Sequence, residues 1–174
     1  MANRDNPHGL RPLGRTLGGG CPFLVQFSKA VGYGTAIFRH DAVARAADGS
    51  IDKAITPGTT LYSGVALDYG AANTATDHLV IIDPTALYEA QDNDDTDGIA
   101  AADLGLNANL ELNAGNATTK QSGHEIDEST VATTATLDVK LLALYNSADN
   151  EHGAWARIEI MFNKHRMNPA VAGV

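Results

Sequence analysis

The sequence has little of what common catalytic, nucleic-acid-binding and membrane proteins need. Among 174 residues it has one cysteine, one tryptophan, and 12 Lys and Arg against 21 Asp and Glu. The single Cys21 excludes an internal disulfide and a paired-cysteine zinc site. A net charge of −9 argues against wrapping nucleic acid, because phosphate binding requires clustered lysine and arginine.

Long apolar segments are also missing. No run approaches the roughly 20 apolar residues of a membrane span, and residues 1–8 lack the apolar core of a signal peptide. We therefore expect a protein made in a reducing cytoplasm, with neither a nucleic acid nor a membrane as its partner.

Catalytic and metal-binding motifs are absent from the sequence as well. There is no H-E-x-x-H or G-x-S-x-G, and the glycines at 18–20 lack the Lys-Ser/Thr of a phosphate loop. The acidic run 92–98 follows the order of a calcium loop, but its last ligand position falls on Leu104 instead of glutamate. His124 and His152, each beside a glutamate, are expected to be exposed loop residues. We predict no catalytic residue, no metal site and no cofactor, so not an enzyme.

The most regular pattern lies between residues 129 and 165. Residues 134–145 and 155–163 alternate apolar and polar side chains, which is typical of half-buried strands. The connection 146–153 (N-S-A-D-N-E-H-G) consists almost wholly of turn-forming residues. This pattern predicts a long antiparallel hairpin, with Ile158, Ile160 and Phe162 on its buried face and Arg157 and Glu159 on the other.

Shorter strands are expected over most of the preceding chain. Asp48-Gly49 and Pro57-Gly58 are turn signals, and Gly64 indicates a bulge or a close backbone approach. The predicted strands are 23–27, 35–45, 50–55, 61–67, 78–82, 86–91 and 107–112.

Two further segments interrupt this series of strands. Asp97 is a plausible N-cap for one short helix at 98–104, and residues 113–130 read as a long polar loop. The predicted fold class is therefore all-β, with at most one short helix, arranged as an antiparallel barrel or sandwich.

The first 22 residues form the third distinct region. They contain three prolines and five glycines, and Arg4, Arg11 and Arg15 against Asp5 give them a charge of +2. They are either a frayed terminus or an extended arm that becomes ordered on a partner, with Leu10, Leu13 and Leu17 as apolar anchors. The predicted organisation is an arm at 1–22, one β-rich domain at 23–168 and a short tail at 169–174.

Several segments together resemble a known family. They are M-A-N-R-D-N-P-H-G-L-R-P-L-G at 1–14, A-I-F-R-H-D-A-V at 36–43, Asp48-Gly49, S-T-V-A-T-T-A-T-L at 129–137 and D-N-E-H-G-A-W-A-R-I-E-I-M-F-N-K-H at 149–165. In these segments the chain resembles the capsid decoration, or cement, proteins of tailed bacteriophages, whereas residues 69–123 are not matched.

This resemblance implies a structural protein on the capsid surface of a virion. Its partners would be the major capsid protein and further copies of itself, as a homotrimer or homodimer. A tail or head-fibre component is the alternative within virions, and a carbohydrate-binding or hydrolytic β domain is the alternative outside them.

The resemblance also directs attention to two contact regions. The residues expected to bind coat protein are Arg4, Leu10, Arg11, Leu13, Arg15 and Leu17. The residues expected at self-association or outer-face loops are Asn146, Asp149, Asn150, Glu151 and His152, with the polar segment 113–128 beside them.

Overall fold

The fold is a sandwich of two antiparallel β-sheets, seen in a computed structural model that describes residues 3–94 and 97–168. The all-β prediction is confirmed. Because each sheet keeps two free edges, the structure is not a closed barrel. The strands are β1 (Arg11–Thr16), β2 (Leu24–Lys29), β3 (Ala42–Arg45), β4 (Ile51–Lys53), β5 (Tyr62–Ala66), β6 (Thr76–Ile81), β7 (Ala86–Gln91), β8 (Asn107–Asn116), β9 (Gln121–Ala132), β10 (Val139–Leu144) and β11 (Arg157–Phe162).

The two sheets differ in size. The larger, sheet A, has the order β1-β7-β11-β10-β8-β9, and the smaller, sheet B, has the order β2-β6-β5-β3-β4. Apolar side chains from both sheets, among them Val65 and Ile81 of sheet B and Ile158 and Ile160 of sheet A, form the larger buried core. Burial of this shared apolar surface holds the sheets together. A second, smaller buried cluster consists of Ile37, Val43, Ile51, Ala66 and Val80.

The predicted hairpin is confirmed at the centre of sheet A, although its strands are shorter than expected. β10 pairs antiparallel with β11, and Leu141 lies opposite Ile160. Ile158, Ile160 and Phe162 are buried, while Arg157 and Glu159 lie on the other face, as predicted.

Asp138 departs from the predicted pattern because it is fully buried instead of facing solvent. Its carboxylate accepts backbone hydrogen bonds from Gly58 at 3.0 Å and Leu110 at 3.1 Å. A buried carboxylate that receives such donors ties the turn at residue 58 to β8.

The long polar loop predicted at 113–130 is wrong. These residues lie largely in two long strands, β8 and β9, which pair antiparallel around a tight turn at residues 117–120. The Asn, Thr and Ser content of this segment is typical of a loop, yet residues 122–126 of β9 are buried, and the polar groups among them are covered by other parts of the chain. The expected outer-face segment 113–128 is thus a β-hairpin.

The predicted helix at 98–104 is also wrong. Only a single 3-10 turn, Ala101–Asp103, forms there, and Asp103 closes it by accepting a hydrogen bond from the Ala100 backbone at 2.8 Å. The strand predicted at 35–45 is limited to β3, because residues 38–41 turn sharply and His40 has a positive φ of 70°.

Gly64 confirms the predicted close backbone approach. A Cβ added there would lie 1.8 Å from the carbonyl oxygen of Ile81, and its φ of +146° is one that other residues rarely adopt. β5 and β6 can therefore approach each other at this point only with glycine.

The first described residues belong to the folded body. Residues 11–16 form β1, an edge strand of sheet A that pairs with β7, and Leu10 is fully buried in the core. The arm therefore has its place on the protein's own sheet, in contrast to the expected arm that orders only on a partner. The predicted tail at 169–174 lies outside the described residues.

Candidate binding surface

The amino-terminal segment and the loop between β10 and β11 meet on the outer face of sheet A. The Asn3 amide donates to the carbonyl oxygens of Glu151 at 2.7 Å and Ala154 at 2.8 Å. In return, the Glu151 backbone N–H donates to the Asn3 side-chain oxygen at 2.9 Å. We name residues 3–16 together with residues 146–157 the arm–loop surface.

The side chain of Gln91, at the end of β7, forms hydrogen bonds with the arm. Its amide donates to the carbonyl oxygens of Arg4 at 2.6 Å and Trp155 at 3.2 Å. Its side-chain oxygen accepts from the Asn6 backbone N–H at 2.9 Å. One buried amide therefore binds both parts of the arm–loop surface.

Glu89 is the buried charge at the centre of this surface. It lies directly opposite Arg11 of β1 and Glu159 of β11, so it points to the outer face of sheet A. Even so it is fully buried, because the arm covers it. Arg11 forms an ion pair with its carboxylate, and His8 and Arg157 approach one of its oxygens at 3.6 Å and 3.7 Å.

The acidic groups of the surface are held in their ionised form. Burial alone would raise the pKa of Glu89, but the nearby His8 and Arg11 outweigh it and lower that pKa. Hydrogen bonding from Ser147 and the ion pair with Arg157 lower the pKa of Asp149 in the exposed loop. Both carboxylates are therefore negative near neutral pH.

The loop has a defined shape because Asn150 crosslinks its two ends. The Asn150 amide donates to the carbonyl oxygens of Tyr145 at 2.7 Å and Arg157 at 2.8 Å, and its side-chain oxygen accepts from the Arg157 backbone at 2.9 Å. Arg11 and Arg157 lie 5.5 Å and 5.7 Å from the centre of the Tyr145 ring. These cation–π contacts join the arm to the loop a second time.

A polar cleft of about 380 Å³ opens between the arm and sheet A. Its lining residues are Arg4, Asn6, His8, Arg11, His40, Glu89, Gln91, Gln121, Asp149 and Arg157. Three arginines face two carboxylates there, so the cleft carries net positive charge in a protein of −9. Burial lowers the pKa of His40 to about 4, so His40 adds no charge at neutral pH.

The structure brings together residues from both predicted contact regions. Arg4 and Arg11 of the arm and Asp149 of the loop line the same cleft, and Glu151 contacts the arm through Asn3. Asn146 and His152 are exposed on the loop, whereas Asn150 has a structural role.

The three predicted leucine anchors lie in different environments. Leu10 is fully buried within the protein itself, Leu13 is half-buried and Leu17 is 61% exposed. Arg15 is exposed, and one of its guanidinium nitrogens donates to both carboxylate oxygens of Glu159 at 2.7 Å. Leu10 is therefore buried in the protein's own core and cannot contact a partner, while Leu17 stays accessible.

Glu89, Gln91 and His8 were missed from the sequence. Glu89 and Gln91 alternate with Tyr88 and Ala90 along β7, which marks them as polar residues of the outward face. Nothing in that alternation indicates that a distant segment covers this face. The sequence therefore indicates that these two side chains of β7 point to the outer face of the sheet, but not that they are buried there.

A second buried polar cluster joins the two sheets. The expectation that His124 is an exposed loop residue is wrong, because it is fully buried in β9. The Ala42 backbone donates to its Nδ1 at 3.2 Å, so Nε2 carries the proton and faces Asp41 at 3.4 Å. Burial raises the pKa of Asp41 to about 6 and lowers that of His124. Because Ser122 beside them is also buried, this trio is closed to a substrate.

Within 3–94 and 97–168, no three His, Cys, Asp or Glu side chains are grouped so that they could hold a metal ion. The same ranges contain no helix long and apolar enough to cross a membrane. The acidic run at 92–98 is described only in part, because residues 95 and 96 lie outside these ranges, and Asp92 at its start is buried.

No family model, curated protein or solved structure matches the chain.

Proposed function

We propose that this protein is a virion structural protein that binds the outside of a phage capsid and cements neighbouring coat subunits. The proposal starts from the resemblance of the two terminal regions to capsid decoration proteins. The observation that supports it is the convergence of Arg4, Arg11 and Asp149 on one cleft. Segments that are far apart in the chain thus form one continuous binding surface.

The chemistry of the cleft indicates which groups of a coat subunit it would bind. Arg11 and Arg157 are already paired with Glu89 and Asp149, whereas Arg4 is exposed at the rim. An acidic side chain of a coat subunit would find a guanidinium there that offers several donors at once. Each such contact is weak in water, but a protein that binds through several copies gains from the high effective concentration of its remaining contacts.

The carbohydrate-binding alternative receives less support from the same surface. Sugar sites use open aromatic rings as platforms. Trp155 of the arm–loop surface is half-buried, and Tyr145 lies immediately before the loop. Its face is occupied by Arg11 and Arg157. A protein–protein contact through charge fits these residues better.

The test of this proposal is binding to expanded capsids that lack the protein. Removing residues 1–22 would also remove β1 and take Leu10 from the core. A loss of binding by the shortened protein would therefore not separate a lost contact from a loss of folding. We therefore compare the full chain with Arg4→Glu, a charge reversal at an exposed position. We expect at least a tenfold loss of capsid binding in co-sedimentation, with an unchanged unfolding temperature.

Lys140→Glu is the matched control. It makes the same charge change on β10 of the same sheet, outside the cleft, and should leave binding within about twofold. If the unaltered protein does not bind capsids, the proposed function is wrong. If Arg4→Glu and Lys140→Glu bind as well as the unaltered protein, the cleft is not the contact.

A further inference from the structure

Strand β2 is an apolar edge strand of sheet B. Five of the eight large apolar side chains exposed among the described residues lie on it or beside it: Phe23 (74%), Leu24 (49%), Val25 (36%), Leu79 (40%) and Met167 (59%). Phe23 and Val25 lie on one face of the strand and Leu24 on the other, so exposed apolar side chains flank this edge on both faces, as at an interaction site. Two adjoining grooves that share Ile82 and Met167 continue it along the outer face of sheet B.

The backbone of β2 is free on one side. Within residues 3–94 and 97–168, β2 pairs with β6 alone. The bond from Ile82 N–H to the Phe23 carbonyl oxygen makes those two residues a hydrogen-bonded pair. Hydrogen-bonded and non-hydrogen-bonded pairs alternate in an antiparallel ladder. The N–H and C=O groups of Leu24, Gln26 and Ser28 therefore point away from β6.

Natural edge strands usually carry charges or proline to prevent pairing with another chain. β2 has neither along its free edge: its one charged residue, Lys29, is buried and donates to the Ala71 carbonyl oxygen at 2.6 Å. β4 approaches β2, but no backbone hydrogen bond joins these two strands among the described residues. The free backbone groups of β2 are therefore available to a further strand.

We propose that β2 pairs antiparallel with β2 of a second copy of this chain, so that two five-stranded sheets become one continuous sheet of ten. A two-fold axis at Gln26 pairs Leu24 with Ser28 of the other copy and Gln26 with its own counterpart. This register uses all three residues whose backbone groups are free. The same patch meets itself, as in most closed homodimers.

The charges near β2 fit this partner. In a chain of net charge −9, Arg45 and Arg166 beside the groove balance Asp77 and Asp83, so two copies meet here with little repulsion. Arg45 lies over Phe27, 5.3 Å from its ring centre, towards one end of β2. Asp83 follows Ile82 at the other end. Antiparallel pairing brings the Asp83 end of one copy to the Arg45 end of the other.

The contact area predicts a weak dimer. A stable interface buries about 800 Å² on each partner. One six-residue strand edge with five partly exposed side chains supplies less than this, so we expect dissociation in the micromolar range. The pairing does not depend on what the arm–loop surface binds.

Disulfide capture tests the pairing and its register. The background is the full chain with Cys21→Ser, because Cys21 is exposed. Directly opposed residues in a hydrogen-bonded pair have Cα atoms about 5.5 Å apart, which suits a disulfide. We expect Gln26→Cys to form a covalent dimer under mild oxidation within minutes, at micromolar protein.

Leu24→Cys is the matched control, on the same strand and equally near the edge. In the proposed register its counterpart lies about four residues away along the strand, about 13 Å, so it should crosslink at least tenfold more slowly. If both variants crosslink at the same rate, the pairing is wrong.

Sedimentation of the cysteine-free protein provides the independent readout. We expect a monomer–dimer equilibrium that Gln26→Pro abolishes with little loss of stability, because the N–H it removes does not bond β6. A chain that is monomeric at all concentrations overturns the proposal. So does a chain that dimerises only when it is shortened to end at Asn168, because its own last residues would then occupy the edge.

Discussion

The arm covers the outer face of sheet A, whereas no strand among the described residues is hydrogen-bonded to the free side of β2, the edge strand of sheet B. The covered face holds a buried carboxylate with cations around it, and the open edge holds apolar side chains and free backbone groups. Ion pairs fix geometry and discriminate between partners, while apolar strand edges associate with less selectivity. The two surfaces therefore suit different partners, and each can be altered without the other.

The largest expected effect concerns the framework of sheet B. Gly64→Ala places a methyl group 1.8 Å from the Ile81 carbonyl oxygen, so β5 and β6 must separate and β2 loses its support. We expect a loss of about 3 kcal/mol or more in the free energy of unfolding, measured by denaturant titration.

Gly34→Ala is the control for that substitution. A Cβ at Gly34 meets nothing within 4 Å, and its φ lies outside the left-handed region. Its effect should stay within about 0.5 kcal/mol. Equal stability of the two variants would show that β5 and β6 do not approach as closely as the structure has them.

Glu89→Gln should loosen the arm and leave β2 unchanged. It removes a buried charge on which Arg11, His8 and Arg157 converge. Because Arg11 remains partly exposed to water, we expect a loss of about 2 kcal/mol, less than for a fully buried pair. Hydrogen exchange should increase in residues 3–16.

Glu159→Gln is the matched control, since Arg15 in that pair is 53% exposed. It should cost less than about 1 kcal/mol. A faster exchange at β2 than at the arm in Glu89→Gln would contradict the independence of the two surfaces.

A smaller and opposite effect is expected at Glu125, where carboxylates gather near the arm. Burial and the charges of Glu111, Asp5 and Asp92 raise its pKa from 4.5 to about 7. Because the folded-state pKa lies above the unfolded one, Glu125 favours folding below pH 4.5 and loses that contribution as the pH rises through 7.

Glu125→Gln should therefore stabilise the protein by about 1 kcal/mol at pH 8 and give no gain below pH 4.5. Thermal unfolding across this pH range measures it. A gain of the same size at every pH would mean that the carboxylate charge is not the cause.

The smallest effect is that of salt, and it should have opposite signs on the two surfaces. Raising the salt concentration to 1 M shortens the Debye length to about 3 Å. The partly exposed pairs of the arm–loop surface should weaken by less than about 1 kcal/mol. The β2 dimer should become stronger, because repulsion between two chains of −9 is screened. Sedimentation and hydrogen exchange at two salt concentrations separate these changes.

The alternation of residue types predicted much of sheet A, but not that the arm covers the outer face of this sheet. Ile158, Ile160 and Phe162 face the core because the side chains of a strand alternate, and this rule needs no partner. The polar composition of residues 113–130 predicted a loop and was wrong, because backbone pairing makes β8 and β9 a hairpin and other parts of the chain bury residues 122–126. Asp138 and His124 were placed on the surface and are buried, because their partners come from distant parts of the chain.

The sequence by itself determined the all-β class, the β10–β11 hairpin and the absence of known catalytic motifs, because these depend on short-range periodicity and residue type. Only the tertiary structure decided that the arm belongs to sheet A, that Glu89 is buried beneath it and that β2 is left as an open edge. Those features depend on which strands become neighbours, and strand order follows from contacts between residues far apart in the chain.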